Sequence, residues 1–114
     1  PLAQEEAGRF RREPAYANVA EFGLGVLGDF GVHPCGSILL DEKLGLHIAF
    51  GRSDHFGGAV GPADFSSPDA VIHLDRVYIT QTQPLVTVKE VRLEGPAETV
   101  VIMRDGRFTA VLDG

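Results

Sequence analysis

The chain has no tryptophan, one cysteine, one methionine and two tyrosines among its 114 residues. A lone thiol cannot close an internal disulfide, which excludes a disulfide-stapled scaffold. Cys35 therefore reads as a small buried apolar residue in a reducing compartment, and a cytoplasmic location is expected. Positive charge is scarce too, with ten Lys and Arg against sixteen Asp and Glu and a formal net charge of −6. That field repels phosphate, so neither nucleic acid nor an anionic membrane surface is expected as a partner. No apolar run nears the roughly 18 residues a bilayer span requires. The opening Pro1-Leu2-Ala3-Gln4-Glu5-Glu6 lacks the basic and apolar regions of a signal peptide, so none is expected there. What is abundant is punctuation: fourteen glycines and seven prolines, with 44% hydrophobic residues, describe a folded chain of short elements.

Residues 1–13 read as a short helix stopped by Pro14. Residues 16–24 alternate as a strand, and the glycine-rich residues 25–36 form a shaped loop. Ser37 suits an N-cap for a brief helix over 38–44, on which Asp41, Glu42 and Lys43 cap, pair or face water. Further strands are expected over 46–50, 70–80, 85–93 and 99–103, and a tight Asp105-Gly106 turn returns residues 108–112 as a hairpin partner. The sum is an α+β, β-rich single domain over residues 1–114. It has about six strands in a mixed, partly closed sheet or barrel, with two short helices.

Three of these strands carry a ligand-type side chain opposite an apolar face. On 46–50, Leu46, Ile48 and Phe50 point one way, and His47 points the other with Ala49. On 71–77, His73 and Asp75 share the face opposite Ile72 and Leu74, and on the first strand Glu21 opposes Phe22 and Leu24. Residues two apart lie about 6.5–7 Å apart on one face, close enough for leaning side chains to meet one cation. Such a cation needs a third ligand from another strand, for which His47 is the candidate, with Glu21 as a fourth. Two imidazoles and a carboxylate suit Fe(II), and related sets suit hydrolytic zinc. The alternative is a solvated sheet face. Glu21 also suits a general base. His33 and His55 lie in loops, solvated or at a substrate mouth. Arg52 is placed to pair with a carboxylate, either of a small acid or of the protein's own surface.

Read as strings, the segments resemble a known family. Asn18-Val19-Ala20-Glu21-Phe22-Gly23-Leu24-Gly25, then Gly36-Ser37-Ile38-Leu39-Leu40-Asp41-Glu42-Lys43 with His47-Ile48-Ala49-Phe50-Gly51, then Phe56-Gly57-Gly58 and Ile72-His73-Leu74-Asp75 are similar to ordered blocks of the aminopeptidase T/S metallo-aminopeptidases and the related dihydroxypyridine dioxygenases. The resemblance runs from Asn18 to Gly114. It implies metal-ligand roles for Glu21, His47, His73 and Asp75, and a divalent ion, zinc or cobalt, or Fe(II) as in the dioxygenases, in one site at most. The family's N-terminal half has no counterpart in this sequence, and Asp54 stands where its catalytic Tyr is expected.

Three functions follow as expectations. The first is a metal-dependent hydrolase acting on peptides, with Glu21 managing protons. The second is a mononuclear Fe(II) dioxygenase-like domain using His47, His73 and Asp75. The third is a truncated, non-catalytic homologue that binds or carries a peptide or small molecule. A homodimer or a partner chain is expected, because the resemblance implies a cleft that needs a second wall.

Overall fold

The computed structural model describes residues 2–109, which fall into two compact units. One comprises the residues up to Phe22 with Ile48–Arg76, the other Gly23–His47 with the described residues from Val77 onward. The architecture is α+β and β-rich, with two three-stranded sheets ordered β1-β2-β3 and β4-β5-β6. The strands are β1 (Val19–Leu24), β2 (Leu46–Gly51), β3 (His73–Val77), β4 (Glu90–Glu94), β5 (Thr99–Arg104) and β6 (Arg107–Phe108). Among the described residues no helix is long and apolar enough to cross a membrane.

In the first unit, helix α1 (Leu2–Arg12) carries Glu5 in its first turn and Arg9, Arg11 and Arg12 in its last, the signs that its dipole favours. A 3-10 turn, Pro14–Ala17, follows it and buries Tyr16. Phe10, Tyr16 and Phe50 pack as an aromatic cluster, with centroids 5.2 Å (Phe10–Tyr16), 5.6 Å (Phe10–Phe50) and 6.5 Å (Tyr16–Phe50) apart. Glu6 ties the helix down: it accepts from the Tyr16 hydroxyl at 3.1 Å and from Arg76 Nη2 at 2.7 Å. Strand pairing in this unit runs through Gly51 N–H to Asn18 O at 3.0 Å and Arg52 N–H to Ile72 O at 2.7 Å.

In the second unit, Gly25 N–H donates to Gly45 O and Tyr78 N–H to Leu46 O, each at 2.8 Å. Rising numbers on one strand meet falling numbers on the next, so β1-β2-β3 is antiparallel throughout. Helix α2 (Ile38–Asp41) gives way to a 3-10 turn, Glu42–Leu44, while β4-β5-β6 is an antiparallel meander closed by Asp105 and Gly106 at φ 51° and 78°. Leu44, Val77 and Met103 are the buried apolar side chains of this unit.

Several expectations are corrected. The strands form two open antiparallel sheets, not one mixed or partly closed sheet or barrel, because β4, β5 and β6 satisfy one another through local turns. The strand expected over 70–80 is confined to His73–Val77, since a 3-10 turn at Pro68–Ala70 precedes it and a turn at Ile79–Gln83 follows. The strand expected over 85–93 forms only at Glu90–Glu94. The return strand is described as Arg107–Phe108, and residues 110–112 lie outside the described residues. On β2 the more buried face is His47, Ala49 and Gly51, not Leu46, Ile48 and Phe50. Phe22 is 58% exposed, so the apolar face expected of β1 is not fully packed.

Cys35 is exposed rather than buried. The loop around it is held by Asp41: the Cys35 and Gly36 amides both donate to this carboxylate, to Oδ1 and Oδ2 at 2.9 Å each. Ser37 occupies the N-cap position of α2 without a side-chain capping bond, so Asp41 does the local tying instead. The Cys35 amide holds the Asp41 carboxyl below the usual carboxylate range; burial opposes this and the Gly36 amide adds to it. A depressed folded pKa means the contribution is fully present above the ordinary Asp value of about 3.9 and is lost as pH falls through the folded value. Asp41→Asn is therefore expected to lower the melting temperature at pH 7. The gap from the parent protein should narrow as thermal melts are repeated below about pH 4.

Candidate metal centre

β3 sets the first part of the geometry. Its two-residue period puts His73 and Asp75 on one face, and His73 Nε2 lies 3.7 Å from Asp75 Oδ2. Glu21, on β1, brings Oε2 to 3.4 Å from the same nitrogen. All three residues belong to the first unit, and one donor atom from each lies within 4.8 Å of the others.

β1 and β3 flank β2, so two strand spacings, roughly 9.5 Å, separate their backbones. The small residue on the middle strand makes the meeting possible. The Arg52–Ile72 hydrogen bond sets the register that places Ala49 opposite Asp75, and Ala49 is wholly buried. A larger side chain there would occupy the space into which Glu21 and Asp75 lean.

The donor set fits a cation. Two donors about 2.1 Å from a tetrahedral ion stand roughly 3.4 Å apart, so the observed separations of 3.4 and 3.7 Å approximate coordination edges. Side-chain exposures of 19% for His73, 23% for Glu21 and 9% for Asp75 make the cluster half-buried, with Asp75 the most shielded. One imidazole and two carboxylates are borderline-to-hard ligands, suited to zinc, cobalt or manganese.

His73 is oriented by the backbone. Its Nδ1 lies 2.8 Å from Arg52 O. A carbonyl only accepts, so Nδ1 carries the proton and Nε2 faces the two carboxylates. This is the outer-shell arrangement that ligating histidines use. The same Arg52 pairs bidentately with Asp54, Nε to Oδ1 and Nη2 to Oδ2 at 2.9 Å each, which settles the two sequence readings in favour of the protein's own carboxylate. That guanidinium holds the Asp54 carboxyl below its usual range. The loop is closed by Ser53 and Asp54 amides donating to Val60 O at 2.9 and 3.0 Å.

His47, the fourth expected ligand, belongs to the second unit. It is buried, and its Nδ1 donates to Gly45 O at 3.1 Å. Glu42 of the same unit, a residue of metal-ligand type that the sequence reading assigned to capping, pairing or facing water, brings a carboxylate oxygen within 4.8 Å of a His47 ring nitrogen. It also pairs with Lys43 at 3.1 Å. His33 is exposed in its loop. Two residues beside His73 were less legible. The His55 ring meets the His73 ring edge-on at 4.7 Å, and Phe56, singled out only as part of a motif, lies 5.8 Å from it. The one available sequence signal was an aromatic pair directly before Gly57-Gly58.

Gly23 has a steric duty in the second unit. A Cβ built on it would fall 2.1 Å from His47 Nε2, so any side chain there must displace the ring. Gly23→Ala is expected to cost about 1–3 kcal/mol in urea denaturation. It should also shift the His47 ring-nitrogen resonances as the bond to Gly45 O is disturbed.

No protein-family model, curated protein or solved structure matches the chain.

Proposed function

We propose that this chain binds one divalent cation through Glu21, His73 and Asp75, and that the site serves hydrolysis of a peptide-type bond. The observation that carries the metal reading is the convergence of three donor atoms within 4.8 Å around an imidazole whose Nδ1 proton is held by Arg52 O. The motif resemblance supports the choice of reaction. Held there, a zinc or cobalt ion supplies Lewis acidity towards a carbonyl and towards water. Asp75, the least exposed of the three, anchors from the protein side, and His73 is locked in one ring orientation. Glu21 offers two carboxylate oxygens, so one can ligate while the other accepts a proton. One imidazole with two carboxylates favours zinc or cobalt over the two-imidazole triad of oxygenase iron.

One observation favours a non-catalytic reading, in which a peptide or a second copy of the chain adds to the sheet. β1 lies at the edge of its sheet and leaves Val19 62% and Phe22 58% exposed. Metal binding and turnover separate the two.

Calorimetric titration with zinc chloride should give one ion per chain. His73→Ala should abolish binding, and Asp75→Asn or Glu21→Gln should each weaken it by at least about tenfold, the scale on which even outer-shell partners act. Stoichiometric zinc or cobalt binding with cleavage of aminoacyl anilides, lost in His73→Ala, supports the hydrolase. Binding without turnover supports the peptide-docking reading. No metal uptake by the parent protein overturns the proposal.

A further inference from the structure

The geometry points to a subsite for an uncharged aromatic or branched apolar group, formed by Phe56 and His55 beside His73 of the metal cluster. This rests on the metal reading above and adds to it the class of side chain that the bound molecule carries.

Phe56 ends a 3-10 turn, Asp54–Phe56, whose backbone is tightly held: Phe56 N–H donates to Ser53 O and Gly57 N–H to Asp54 O, each at 3.0 Å, and Gly58 N–H to Ser53 O at 2.9 Å. Phe56 is nonetheless 63% exposed. A single exposed apolar residue needs no explanation by itself. Two facts distinguish this one. Its ring is packed 4.3 Å from His55 and 5.8 Å from His73, so it leans on a candidate ligand rather than on the core. His55 in turn meets His73 edge-on at 4.7 Å and lies 3.8 Å, Nδ1 to Oδ1, from Asp54, the carboxylate already paired with Arg52.

The three rings thus form a continuous aromatic surface that begins at the donor cluster and ends in solvent. Binding sites commonly use a polar centre to fix the reacting group and a neighbouring apolar surface to select what is attached to it. An aromatic guest gains offset or edge contacts with such a wall beyond simple area burial. All the residues concerned lie in the first unit.

The test uses zinc-loaded full chain and two small zinc-binding acids, acetohydroxamate and benzohydroxamate, whose dissociation constants are compared by calorimetry. The ratio of the two constants is taken for the parent protein and for Phe56→Ala, which cancels their intrinsic difference in zinc affinity. The parent protein is expected to favour benzohydroxamate by about fivefold more than Phe56→Ala does, the scale of one aromatic contact. Phe56→Tyr, which keeps the ring, should retain the parent ratio. Zinc affinity and the thermal melt of Phe56→Ala should match the parent, since the side chain is exposed. An unchanged ratio in Phe56→Ala, or a ratio lost in Phe56→Tyr, overturns the subsite and leaves the metal reading standing. Failure of the parent chain to take up zinc overturns both.

Discussion

The hydrogen bond from His73 Nδ1 to Arg52 O is the constraint on which the candidate centre depends. It is a bond between a side chain of β3 and the first backbone carbonyl beyond β2, so it exists only in one register of the two strands. In that register Arg52 N–H also meets Ile72 O, and Ala49 stands opposite Asp75. A slip by one residue would reverse every side chain on β3 and withdraw both His73 and Asp75 from the face they share. Ring tautomer, ligand direction and strand alignment are thus one condition.

The same device recurs in the other unit, where His47 gives its Nδ1 proton to Gly45 O. Each buried or half-buried imidazole is fixed through a main-chain carbonyl, a partner whose position follows from the strand and not from a second mobile side chain. Small residues complete the arrangement. Ala49 leaves room above the middle strand, and Gly23 lies directly against the His47 ring. The side chains with chemical potential are bulky and polar, and the fold makes space for them by keeping their neighbours minimal.

Much of this was legible because strand periodicity is local. The pairing of His73 with Asp75 on one face and the Asp105-Gly106 turn both follow from residue type and short spacing. Strand ends were legible for β2 and β5, to within one residue, and not for β3 and β4. The alternation around 70–80 continues past the points where Pro68 and the turn after Ile79 end the pairing, because periodicity records side-chain character and not hydrogen bonding. Burial on β2 misled for another reason. Alternation tells which side chains share a face and not which face is covered, and on β2 the covered face carries the large polar ring of His47 beside Ala49 and Gly51. The His55–Phe56–His73 surface joins residues 17 or more positions apart through a loop whose path no local pattern specifies. Sheet closure failed as an expectation because it depends on which strands pair across long connections.

The junction at Gly51-Arg52 has an evolutionary consequence. Beyond Val60 and up to Val71 the chain runs through two short 3-10 turns and many exposed residues, a stretch that can gain or lose length at less cost. The step from Ala49 to Arg52 has no such freedom, since an inserted or deleted residue there would hand His73 a different carbonyl and turn Ala49 away from Asp75. Sister sequences that share this chemistry should therefore differ freely in the span of the long loop while keeping an invariant count across the end of β2.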